Sequence, residues 1–119
     1  MTVLSKLMAR NFELAPARYP ARVERDLRVP MADGVVLLAD RYVPEGLDRA
    51  PLVLARGPYG RRHIWGMLFG RLLAERGFQA VVQSCRGTYG SGGVFDPFGD
   101  ERTDGLSTVE WMRAQTWYP

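Results

Sequence analysis

Three consecutive stretches decide the fold class: Leu52-Val-Leu-Ala-Arg-Gly-Pro-Tyr59, Trp65-Gly-Met-Leu-Phe-Gly-Arg-Leu-Leu73 and Phe78-Gln-Ala-Val-Val82. Leu52 to Ala55 is a short unbroken apolar run, the pattern of a strand buried on both faces. Trp65, Leu68, Phe69, Leu72 and Leu73 recur at i, i+3, i+4, i+7 and i+8, which is one stripe of an amphipathic helix, and Gly77 stands where a helix C-cap belongs. Phe78 to Val82 is a second buried strand. Strand, helix and strand in this order make a right-handed βαβ crossover, so the two strands lie parallel in one sheet. An α/β fold follows.

Upstream, Asp33-Gly34 is a strong turn signal between Arg25-Asp-Leu-Arg-Val-Pro30 and Val35-Val-Leu-Leu-Ala-Asp-Arg-Tyr-Val43, which predicts an antiparallel hairpin leading into the parallel unit. Before it, residues 1–22 read as an arm and linker, with Leu4, Leu7, Met8 and Phe12 at helical spacing and Pro16 and Pro20 behind them. Residues 23–119 form the domain proper. Downstream, Arg86-Gly-Thr-Tyr-Gly-Ser-Gly-Gly93 carries four glycines in eight residues and reads as a loop. Asp100 or Thr103 then caps a helix running to about Gln115, with Leu106, Val109 and Met112 or Arg113 on its inner side. Because the chain stops on this helix and Trp117-Tyr118-Pro119 with no strand returning to the sheet, the expected α/β domain is incomplete.

Bulk properties exclude several function classes. The chain has 119 residues, 46% of them hydrophobic, which allows one small globular domain. Sixteen Lys and Arg against 13 Asp and Glu leave a formal charge of +3, too small and too scattered to argue for nucleic acid. Arg61 and Arg62, the one adjacent basic pair that stands out, read as solvated surface. Cys85 is the single cysteine, which excludes an internal disulfide and a cysteine-based zinc site and fits a reducing compartment. No apolar stretch reaches membrane-spanning length, so a cytoplasmic protein with no membrane partner is expected. No cofactor and no metal are expected.

A nucleophilic hydrolase needs a nucleophile, a base, an acid and oxyanion donors. None of Ser5, Ser84, Ser91 and Ser107 is centred in G-x-S-x-G, and Ser91 in Gly90-Ser-Gly-Gly93 is the nearest miss. His63 is the only histidine and reads as a solvent-facing residue at a helix start. The glycine loop has neither the G-x-x-x-x-G-K nor the G-x-G-x-x-G spacing of a phosphate cradle. Arg56-Gly-Pro-Tyr59 is more informative, because it follows directly on the strand Leu52 to Ala55. Pro58 restricts Gly57 to extended backbone, so the Tyr59 hydroxyl is held near the strand's C-terminal edge, where it can donate to a tetrahedral intermediate. A tyrosine that merely tethers a loop has the same spacing, and spacing alone favours that tether.

The ordered set Val29-Pro-Met-Ala-Asp-Gly-Val35, Leu38-Ala-Asp-Arg-Tyr-Val-Pro44, Arg56-Gly-Pro-Tyr59, Val82-Gln83, Arg86-Gly87 and Gly90-Ser-Gly-Gly-Val-Phe95 resembles the CocE/NonD hydrolases. These are cocaine esterase-like α/β-hydrolases related to the Xaa-Pro dipeptidyl-peptidases. The resemblance runs from about Val23 to Trp117. It implies that Tyr59 supplies an oxyanion-hole hydroxyl and that Arg86, Gly87 and Gly90 to Gly93 are scaffold. It also implies a small-molecule ester or amide substrate, and a nucleophile elbow, acid and base encoded beyond the position of Pro119. The polypeptide alone is then expected to be inactive. Relatives usually carry Asp at the position of Ser84, a departure expected to alter the anchoring of the loop at Arg86. The alternative is a non-catalytic module that pairs its open sheet edge with another chain.

Overall fold

A computed structural model describes residues 1–119. Helix α1 (Val3–Asn11) precedes strands β1 (Ala21–Pro30), β2 (Val36–Pro44) and β3 (Leu52–Gly57). A helical run, α2, follows as three segments, His63–Gly66, Met67–Arg71 and Leu72–Ala74. Strand β4 (Gln79–Ser84) and helix α3 (Glu101–Arg113) complete the order. The four strands form one mixed sheet in the order β1-β2-β4-β3. β1 and β4 both run antiparallel to β2, and β3 runs parallel to β4. The hairpin and the βαβ crossover are both present.

The hairpin turns as its residues dictate. Gly34 has φ +89°, its N–H donates to the Met31 carbonyl, and Met31 and Val35 close the turn at 2.7 Å. Along β1 the register slips between Glu24 and Leu27, so Arg25 and Asp26 both oppose Asp40. Asp26 sits at φ +56°, the left-handed geometry of a β-bulge, and its N–H donates to the Asp40 carboxylate at 3.0 Å.

Both sheet faces are covered. Val29, Met31, Leu37, Ala39 and Val81 pack with Met112 of α3 on one face, and Tyr42, Ala80 and Val82 pack with Ala74 of α2 on the other. Leu37 is fully buried, so Leu37→Ala would remove roughly 2–5 kcal/mol through lost transfer energy and a cavity. β4 is buried along its whole length, whereas β3 is only half-buried because it is an edge strand with no neighbour on one side.

Two expectations about helix faces need correction. In α2 the buried residues are Gly66, Met67, Gly70, Leu72 and Ala74, while Trp65, Leu68 and Leu73 are half-buried and Phe69 is exposed. The cause is twofold. A Cβ at Gly66 or Gly70 would overlap Tyr42, and the segment Met67–Arg71 is π-wound, with the Leu72 N–H reaching the Met67 carbonyl. In α3 the buried side chains are Asp104, Thr108 and Met112, and Leu106 and Val109 are exposed. The polar pair faces inward because Thr108 donates to Gln83 and Asp104 accepts from Arg86. Asp100 is the N-cap of α3, yet its side chain makes no capping bond and approaches Arg86 at 3.7 Å.

The N-terminal arm is docked by polar contacts. Thr2 and Ser5 form a reciprocal cap at the start of α1, and the buried Ser5 hydroxyl donates to Glu75 at 3.1 Å. The apolar side chains Val3, Leu4, Leu7 and Phe12 remain exposed. No helix is long and apolar enough to cross a membrane.

Candidate functional site

Strand β3 ends at Gly57, and Pro58-Tyr59-Gly60 leads away from its C-terminal edge. The Tyr59 ring stacks on Trp65 with centroids 5.4 Å apart, and Trp65 stacks in turn on Phe69 at 6.0 Å. These three rings, with Ala55, Pro58 and Val82, line an apolar cavity of about 290 Å³. Tyr59 is 64% exposed, and its ring lines this cavity. Gly60 follows at φ +98°, with the Tyr89 ring 3.2 Å from where its Cβ would be, so a glycine is required there.

Two arginines bracket this loop. Before it, the Arg56 Nε donates to Gln83 at 2.5 Å and Nη1 donates to Glu101 at 2.7 Å. The buried atoms Arg56 Nη2 and Gln83 Nε2 have no partner. After it comes Arg61, and the solvated-surface reading of this residue is wrong, because its side chain is only 6% exposed. Arg61 Nε donates to Asp40 at 3.2 Å, Nη2 to Asp26 at 2.6 Å, and Nη1 to both the Ser84 hydroxyl at 2.9 Å and the Tyr89 carbonyl at 2.7 Å. The half-exposed Arg62 donates to the same two carboxylates. Buried charge is tolerated only when paired and hydrogen-bonded, and Asp40, fully buried, meets that condition with two guanidiniums and the Asp26 N–H. Breaking such a pair from one side costs roughly 3–5 kcal/mol, because it strands the other charge.

The Ser84 side chain serves Arg61, and Arg86 is held instead by Asp104 at 2.7 Å and Asp33 at 2.9 Å. Those hydrogen bonds, led by the one to Asp104, push the Arg86 guanidinium above its ordinary value. Arg86 in its turn, with help from the Val35 N–H, holds the Asp33 carboxyl below the usual range. Burial alone would raise Asp26, and the hydrogen bonds from Arg61 and Arg62 outweigh it and lower the carboxyl.

The remaining sequence candidates have structural roles or none. Ser91, the nearest miss to a nucleophile, is buried, accepting from the Leu38 N–H at 2.9 Å and donating to the Ser84 carbonyl at 2.7 Å. His63 is exposed at the first position of α2 with φ +54° and lines a cleft with Tyr59 and Tyr89. No Ser, His and carboxylate converge, and no three His, Cys, Asp or Glu side chains are grouped as metal ligands. The sequence did contain a signal for the Arg61 cluster. Asp40 and Arg41 interrupt a strand otherwise read as apolar, and charges there require buried partners.

Residues 33–119 match the model of the X-Pro dipeptidyl-peptidase (S15) family, which is well over half of the chain. The chain belongs to this S15 family. It is 33% identical over 99 residues to the cocaine esterase of Rhodococcus sp. (strain MB1 Bresler), covering 80% of this chain and 17% of that one. Among solved structures it matches an α-amino acid ester hydrolase with a TM-score of 0.68 and 26% identity, over 88% of this chain and 21% of the other. A CocE/NonD family hydrolase from Staphylococcus aureus gives a TM-score of 0.67 at 24% identity, over 80% and 21%. The S15 chain described here thus spans about a fifth of the length of these relatives. Its sheet and helices are a part of the α/β-hydrolase fold.

Proposed function

We propose that the chain is the N-terminal portion of a cytoplasmic serine acyl hydrolase that cleaves a small-molecule ester or amide. Residues 23–119 supply scaffold and one oxyanion-hole donor, the Tyr59 hydroxyl, and residues 1–22 are an arm. The nucleophile, its base and its acid come from polypeptide outside these residues. The observation that carries this reading is the placement of Tyr59, exposed at the C-terminal edge of a parallel strand and at the mouth of an apolar cavity. A preorganised hydroxyl at that point stabilises charge as it develops on the carbonyl oxygen.

The reading is tested on the native gene product, first by intact mass and then by p-nitrophenyl ester hydrolysis. A product well above 13.4 kDa whose kcat falls about 10²–10³-fold in Tyr59→Phe supports it. An active product indifferent to that substitution overturns the role of Tyr59.

The open edge of β3 favours a second reading, a non-catalytic module that pairs through this edge. A native product of 13.4 kDa that folds cooperatively and hydrolyses no ester would select it.

A further inference from the structure

We infer that Arg61 is the positioning residue for Tyr59, fixing the aromatic ring and its hydroxyl through the backbone of Pro58-Tyr59-Gly60. The inference rests on the proposed oxyanion role of Tyr59. It concerns how an exposed side chain at the end of an edge strand is kept in one place.

Tyr59 is 64% exposed, and its ring stacks on Trp65. Glycine at position 60, at φ +98°, makes the following backbone intrinsically mobile unless something beyond it is fixed. Arg61 is that fixed point. Its guanidinium joins β1 through Asp26, β2 through Asp40, β4 through Ser84 and the glycine loop through the Tyr89 carbonyl, so every guanidinium nitrogen is engaged. Its own carbonyl accepts from the buried Tyr42 hydroxyl at 3.2 Å. Side chain and main chain of one residue are therefore both held, two positions after Tyr59. A planar fork with five donors can bind four acceptors in fixed directions, which an ammonium cannot. The Tyr89 carbonyl bond has a second effect, since it holds the Tyr89 ring against Gly60 and closes the loop from the other side. Arg56 is a weaker anchor, because its Nη2 has no partner and Glu101, which it grips, is exposed.

The test uses the 119-residue chain with 3-fluorotyrosine placed at position 59 and read by ¹⁹F NMR, so it does not depend on catalysis. The expected wild-type resonance is narrow and displaced by the Trp65 ring current. In Arg61→Met it moves to the position of free 3-fluorotyrosine. Arg61→Lys, which keeps the charge and loses the fork, moves it the same way, and that variant is read in place of Arg61→Met if the latter does not fold. The control is Arg41→Met, an equally buried arginine bound to Gln79 and Glu24, expected to lower Tm while leaving the resonance in place. A folded Arg61 variant with an unmoved resonance overturns the inference, as does a control that moves it equally. Failure of Tyr59→Phe to lower ester hydrolysis would unseat the catalytic role of Tyr59 without changing these spectra.

Discussion

At the scale of single residues, the fold is held by contacts whose sizes can be measured. Gly70 lies against the Tyr42 ring, so a Cβ there has no room. Helix propensity alone would make Gly70→Ala favourable by up to about 1 kcal/mol. Overpacking of roughly 1–3 kcal/mol wins, and the variant is expected to unfold at lower urea concentration than wild type. Cys85 gives a chemical readout. Burial, with the nearby Glu101 carboxylate, pushes its thiol up to about 11, so very little thiolate is present at pH 8. Iodoacetamide is expected to label the native protein far more slowly than the urea-unfolded one, measured by mass spectrometry. Equal rates would mean that Cys85 is not buried as described. The place of Tyr59 after a strand is legible in the sequence, but its stacking on Trp65 is not, because the π-wound turn changes which residues of α2 share a face.

Elements are joined mainly by arginine. Glu24, Asp26 and Asp33, along the hairpin β1–β2, are all held below the usual carboxylate range by guanidiniums from β2, the Tyr59 loop and the glycine loop. For Glu24 burial works in the opposite sense and the hydrogen bond from Arg41 leads the terms that overcome it. A carboxyl with a lower pKa folded than unfolded adds stability above the unfolded pKa and loses it as pH falls through the folded one. Thermal stability should therefore be level near neutrality and fall as pH drops below about 4. Circular dichroism melts between pH 7 and 2 check this, and a Tm unchanged at pH 3 would contradict it. The same ties explain why the inner side of α3 does not follow its apolar positions. The sheet beneath it presents Gln83, and the loop beside it presents Arg86, so the helix answers with Thr108 and Asp104. Periodicity reports where apolar residues recur, and here two of the three buried side chains are polar.

For the whole molecule, the two edges of the sheet differ. β1 is defended by a bulge, by Arg22, Glu24 and Arg28, and by Pro30 at its end. β3 has none of these within Leu52 to Ala55, and the apolar cavity opens beside it. The isolated chain is expected to associate through β3 as its concentration rises. Val53→Lys, which places a charge on that edge as β1 does, should reduce the association in sedimentation velocity, whereas Leu4→Lys on α1 should not. The parallel and antiparallel strand directions were legible because turn signals and apolar runs set them locally. Which strand ended at the edge was not, since Leu52 to Ala55 has the composition of a central strand and only the strand order leaves it half covered.

The π-wound turn in α2 has the character of a phase setting. Between Met67 and Arg71 the helix takes in one residue more per hydrogen-bonded turn than an α-helix does, so the residues before and after it are read on different angular scales. Winding the same residues as an ordinary α-helix would carry the first half about 100° further round against the second. With Leu73 and Ala74 still seated on the sheet, Trp65 would swing off the cavity and Tyr59 would lose the ring beneath it. The extra residue is what lets one helix pack by glycines against Tyr42 and still present an aromatic wall beside Tyr59.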